Sequence, residues 1–200
     1  MIPPMTDDLS KLGLECSEDW VPFPVAGTLD LSYWAKYQAK ELVERYARDG
    51  EKGSARLLAR DLERAAADCR GREPLGAFGW YVSGHQSVAA VLELDAIHPD
   101  ATYLEVTLDL LAESMSATDF GPPDVSRVRL PLGDAVRIRQ NLVEERKRPF
   151  GPRPVVRTLF YGVRPPTTDA AVTLMVSWTE PVLDEPLEGI VDGIARTLTL

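Results

Sequence analysis

The sequence predicts an α+β fold in which an antiparallel β-sheet is flanked by helices, and three features of the chain predict it. From Arg127 to Leu142 apolar residues alternate with Arg and other polar residues at period two, and two apolar strand patterns follow at Val155–Val163 and Ala171–Thr179, with turn signals between them, the pattern of successive antiparallel strands. From Asp184 onward Leu187, Ile190, Val191, Ile194 and Leu198 recur at helical spacing and form the cleanest amphipathic face in the chain. Between residues 30 and 69 two helical patterns separated by Asp49–Gly53 read as an αα-hairpin.

Residues 1–29 carry Pro3, Pro4, Pro22 and Pro24 around Trp20, Val21 and Phe23, which predicts an extended segment on the surface or at a sheet edge. Asp30 or Ser32 is suited to cap a helix that runs to about Arg48, with Leu31, Trp34, Gln38, Leu42 and Tyr46 nearly aligned. Ser54 caps a second helix with Leu57, Leu58, Leu62, Ala65 and Cys69 on one side. Phe78, Trp80 and Val82 alternate as a strand, and Val88, Leu92 and Leu94 mark another after the turn at Ser83, Gly84 and His85. Leu104, Leu108, Leu111 and Met115 sit at helical spacing, although Tyr103, Val106 and Thr107 also suit a strand. After Gly121, Pro122 and Pro123 a strand holds Val128 and Leu130, a tight turn falls at Gly133 and Asp134, and a second strand holds Val136, Ile138 and Leu142. A charged loop over Arg146–Pro154 precedes strands at Val155–Val163 and Ala171–Thr179. The expected organisation is an extended segment over 1–29 and a single α+β domain over 30–200, with the hairpin at 30–69 and the sheet and helices at 77–200.

Composition narrows the function classes. With 44% hydrophobic and 26% charged residues the chain is that of a soluble globular protein able to bury a core without disulfides. A net charge of -9 disfavours nucleic acid and anionic lipid and favours a basic or neutral partner surface. Met1–Leu14 lacks the basic and apolar regions of a secretory signal, and no apolar run approaches the roughly 20 residues of a membrane span. Cys16 and Cys69 stand alone, as free thiols of a reducing cytoplasm do. The preference for Arg over Lys, with abundant Ala, Leu and Pro, points to a GC-rich bacterial coding bias.

No familiar catalytic constellation stands out. Ser83–Ser87 superficially resembles a nucleophile elbow, but Ser87 is followed by Val88 and Ala89 where that turn needs glycine, so the segment reads as a loop between strands. His85 and His98 have no ligand at one-turn spacing, and Gly76 and Gly79 lack the rest of a phosphate loop. No metal or other cofactor is expected. The sharper signal is charge asymmetry: the window from Arg127 to Arg157 holds nine basic and three acidic residues. Period-two geometry places Arg127 with Arg129, and Arg137 with Arg139, on the outward face of neighbouring strands, implying a basic sheet face. Two outcomes stand open for it: neutralisation by acids of other elements, or an anionic ligand or acidic partner segment. Trp80, Tyr161 and Trp178 belong to an aromatic surplus that a single helix–sheet seam does not require, and exposed aromatics on an open face would mark protein binding.

The runs GDAVRIRQNLVEE, VVRTLFYGVRPP, AVTLMVSWTEP and LEGIVDGIARTL, within residues 125–200, resemble the C-terminal half of uncharacterised actinobacterial proteins with a PsbP-like fold. That resemblance implies a curved antiparallel sheet flanked by helices. It also implies non-enzymatic work, since relatives of the fold include photosystem assembly factors, a Ran-binding nuclear transport factor, bacterial lipoproteins and chaperones of type VI secretion effectors. The helical hairpin at 30–69 departs from the simpler members. The expected function is therefore a cytoplasmic protein-binding module, an adaptor or chaperone, that engages a protein partner through Arg127, Arg129, Arg137, Arg139, Trp80, Tyr161 and Trp178. Two alternatives remain: a binder of, or enzyme acting on, a small anionic ligand held by Arg137 and Arg139, and a self-assembling homo-oligomer using the charged loop 144–153.

Overall fold

The computed structural model describes residues 9–118, 120–143 and 154–200 and shows an α+β protein with four α-helices and seven antiparallel strands among them. The chain forms two compact units, one of Cys16–Leu94 and the other of Asp95–Leu200 with the segment that ends at Glu15.

In the first unit, β1 (Trp20–Phe23) pairs with β2 (Gly76–Trp80), which pairs with the start of β3 (Ala90–Ile97). Asp30 caps α1 (Leu31–Arg48) by accepting from the backbone N–H of Ser32 at 2.8 Å and of Tyr33 at 3.2 Å. Gly50, at φ +79°, turns the chain out of α1 in a conformation that a side chain would disfavour. Ser54 then caps α2 (Ala55–Arg70). The helices meet through Ala35, Ala39 and Ala66, none of them exposed, and their large residues Leu42, Tyr46, Leu58 and Leu62 share a core with Val21, Phe23 and Tyr81. Phe23 meets Trp34 edge to face at 5.9 Å. Within β2 the buried side is Ala77 and Tyr81 beyond the strand end, whereas Phe78 and Trp80, expected to lead the strand, are only partly covered. Leu57, expected on the buried side of α2, is half exposed.

The second unit is built on strands ordered β7 (Ala171–Trp178), β6 (Val155–Arg164), β5 (Gly133–Val143) and β4 (Asp124–Leu130). Helix α3 (Leu108–Met115), capped by Thr107, covers one face through Leu111 against Val136, Ile138 and Phe160. It begins later than its apolar spacing suggests, because Leu104 is 86% exposed and packs on nothing that would extend the helix. Helix α4 (Asp184–Ala195) lies on the opposite face with Leu187, Val191 and Ile194 buried. Covered on both sides, β6 and β7 are nearly continuous in burial rather than alternating. The β4–β5 turn falls at residues 131–132, two earlier than its glycine suggests. Gly133 is fixed by a different demand, since a Cβ there would lie 2.1 Å from the carbonyl oxygen of Arg164. The loop over Arg146–Pro154 lies almost wholly outside the described residues.

Candidate functional site

The expected basic sheet face does not form, and the register explains why. Leu130 pairs with Gly133, so every odd-numbered residue of β4 stands opposite an even-numbered residue of β5. Arg127 accordingly pairs with Val136 and Ser126 with Arg137. Cross-strand partners share a face, so Arg127 and Arg129 point to the α3 side and Arg137 and Arg139 to the α4 side. Arg127 meets Asp109 of α3, and Arg129 stands across from Asp134 at 3.7 Å with both groups in solvent.

On the other face α4 supplies the counter-charge. Asp184, Glu188 and Asp192 recur every four residues along the helix beside its apolar stripe, a rise of about 6 Å per step. Alternate residues of a strand advance by about 6.7 Å, so the two ladders match. Arg137 gives Nε to Asp192 at 3.2 Å and Nη2 to Glu188 at 3.0 Å; Arg139 meets Glu188 and reaches Asp184 at 3.4 Å. Arg157 of β6 approaches the same Asp184 at 2.9 Å, and Trp178 donates its indole N–H to that carboxylate at 2.7 Å. Tyr161 donates to Asp192 and accepts from Arg137 at 3.1 Å. Desolvation pulls the Arg137 pKa down, but the bonds to Glu188 and Tyr161 outweigh it and the net shift is upward. Burial, then the bond to Asp192, raises the Tyr161 hydroxyl above its usual range. Tyr161 and Trp178 are 3% and 2% exposed, so they form part of a closed seam instead of lining an open face. Three arginines facing three carboxylates leave this seam neutral.

Trp80 belongs to the first unit, where it stacks on Trp20 at 6.1 Å. That unit holds two open surfaces, a groove and a cleft. A groove of about 430 Å³ runs beside β1 and α1, lined by Trp20, Val21 and Pro22 on the strand and by Tyr37, Glu41, Arg45 and Arg48 on the helix, with Glu18 at its end. Arg45 anchors the wall: it donates to the carbonyl of Glu18 and, at 2.9 Å, to that of Tyr81, and lies 3.6 Å from Asp19. Tyr81 N–H in turn donates to the Asp19 carbonyl at 3.0 Å, which sets the alternation along β1. Val21 and Phe23 thus turn their backbone groups to β2, and Trp20 and Pro22 turn theirs outward. The Trp20 N–H is taken by Ser17 and Pro22 has none, so the outer edge offers carbonyl acceptors alone. Tyr37 is 56% exposed, and Tyr33, one turn earlier on the same helix, is 71% exposed. The signal that could have found them is aromatics at four-residue spacing on a helix with a separate apolar face.

The Ser83–Ser87 segment is a loop tied to the helical hairpin. Ser83 donates to Asp49, Gln86 accepts from Ser54 N–H at 2.7 Å, and Asp61 accepts from Val88 N–H at 2.7 Å and from the Tyr81 hydroxyl at 3.0 Å. Among the described residues no three His, Cys, Asp or Glu side chains converge as metal ligands, and no helix is long and apolar enough to cross a membrane. Cys16 and Cys69 form no disulfide. Compared with known proteins, the chain matches no family model and no curated protein.

Proposed function

We propose that this chain is a non-enzymatic, cytoplasmic protein-binding module, an adaptor or chaperone of PsbP-like type, that holds an extended basic segment of a partner in the groove between β1 and α1. The observation that carries this reading is the exposed Tyr37, with the exposed Tyr33 one turn earlier on the same helix, beside a strand edge that presents acceptors without donors. Such an edge cannot take an added strand through alternating backbone bonds, so the occupant must bring side-chain donors. Lys and Arg do so, and they also gain cation–π contact with tyrosine and attraction to Glu18 and Glu41, which Arg48 of the same lining opposes while Arg45 is engaged by Asp19. The charge of -9 over the whole chain acts in the same sense at longer range. The PsbP-like part of the proposal rests on the antiparallel order of β4 to β7 and the closing helix laid on them.

The test is a tagged pull-down from host lysate with stoichiometry by mass spectrometry, run in parallel with a Tyr33→Ala/Tyr37→Ala variant. A single stoichiometric protein retained by the wild type and lost by the variant supports the groove. Equal retention by both, or recovery of the bait alone, counts against it.

A further inference from the structure

A separate cleft of about 490 Å³ opens between α2 and the loop joining β2 to β3, lined by Leu57, Arg60, Asp61, Arg64, Gln86 and Ser87. Its size falls within the range of small-molecule sites, about 300–1,000 Å³.

The charges in the lining select the ligand. Asp61 is 8% exposed, and its carboxylate already accepts from Tyr81, Val88 and Arg64, so it neither invites a cation nor leaves Arg64 uncompensated. Arg60 has no ion-pair partner among the described residues. It stands one turn from Arg56 and one turn from Arg64 on α2, a like-charge spacing that destabilises a helix. Two guanidinium groups and one carboxylate leave a single excess positive charge, which a monoanion balances and a phosphate dianion would overshoot. The remaining walls give the ligand its shape. Leu57, 51% exposed, offers an apolar surface, and Gln86 is held in place by Ser54 N–H at 2.7 Å and the Lys52 carbonyl at 3.3 Å. Ser87 is exposed, and its hydroxyl makes no hydrogen bond among the described residues.

We propose that this cleft binds a small organic acid, a monocarboxylate with an apolar body. Arg60 takes the carboxylate in a two-pronged pair, Ser87 donates to it, and Leu57 packs on the apolar end. The proposal is independent of the groove at β1, with which the cleft shares no lining residue.

Backbone amide NMR titration of the full chain tests it, with phenylacetate, acetate, benzyl alcohol and inorganic phosphate as probes. Phenylacetate is expected to shift the amides of residues 57–64 and 84–88 saturably, with a Kd on the order of 1 mM. Arg60→Gln is expected to weaken that binding at least about tenfold, the loss that goes with a charge-assisted pair. Acetate and benzyl alcohol, each lacking half of the ligand, should bind more weakly than phenylacetate. Arg60 is exposed on α2, and an unchanged thermal midpoint confirms that the variant is folded. The proposal is overturned by any of three results: no saturable shift with phenylacetate to about 20 mM, equal affinity in wild type and Arg60→Gln, or tighter binding of inorganic phosphate than of phenylacetate.

Discussion

Asp184 gathers donors from three strands: Trp178 of β7, Arg157 of β6 and Arg139 of β5. Removing its carboxylate would leave a buried indole N–H and two largely covered guanidinium groups short of an acceptor. Asp184→Ala is therefore expected to lower stability by about 1–3 kcal/mol. Asp134→Ala, which breaks the exposed pair with Arg129, should change it by less than about 0.5 kcal/mol. Urea denaturation of the two variants side by side checks the contrast, and equal losses would refute the special standing of Asp184. The arginines themselves were plain in the sequence, but their facing was not. Which face Arg127 shares depends on whether the connecting turn has an even or odd number of residues, and period-two reading treats each strand separately. The acids that close the ladder were also legible in principle, as Asp184, Glu188 and Asp192 stand at one-turn spacing on the flank of the α4 apolar stripe.

At the scale of elements, helix α4 illustrates how tertiary packing overrides local propensity. Gly189 and Gly193 lie in its interior, where each costs about 1 kcal/mol relative to alanine, yet the helix is held by its apolar face and its ion pairs. A Cβ at either position would meet nothing within 4 Å. Gly189→Ala and Gly193→Ala are each expected to raise stability by about 0.5–1 kcal/mol, seen as a higher thermal midpoint. Gly162→Ala in β6 is expected to lower it, because its Cβ would come within 2.8 Å of Leu111 and 3.0 Å of Phe160. The sequence located α1, α2, α4 and the last four strands because their apolar patterns are long and bounded by turn signals, and because Asp30 and Ser54 cap the first two helices. It missed the start of α3 because Leu104 continues the apolar spacing without any surface to pack on. In β2 small residues face the helices and let Phe23 come close: a Cβ on Gly79 would lie 2.3 Å from the Phe23 ring.

For the molecule as a whole, buried ionisable groups make stability fall in alkali. Burial raises Cys16 from 9.0 to about 11, Cys69 from 9.0 to about 12 and Tyr46 from 10.0 to about 12, and Tyr81 and Tyr161 shift in the same direction. Each group holds its proton more tightly when folded than when unfolded. Its contribution is therefore complete below the unfolded pKa and is lost as pH rises through the folded one. The thermal midpoint should stay level up to about pH 8.5 and fall between about pH 9 and 12, with tyrosinate absorbance rising in step with unfolding. A midpoint unaffected by pH across that window would show that these groups have the same pKa folded and unfolded, and would refute the shifts. The division into two compact units was the least legible feature, because it falls within β3, between Leu94 and Asp95, where no glycine, proline or charge run interrupts the strand.

The two-residue turn at 131–132 also bears on how the register can shift. If β4 slid by one place there, Arg127 and Arg129 would turn to the α4 side of the sheet and Val128 to the α3 side. A slide of two places keeps every side chain on its own face. A slip in register at this corner thus keeps the faces only in even steps, a constraint imposed by the pleat and not by any single residue.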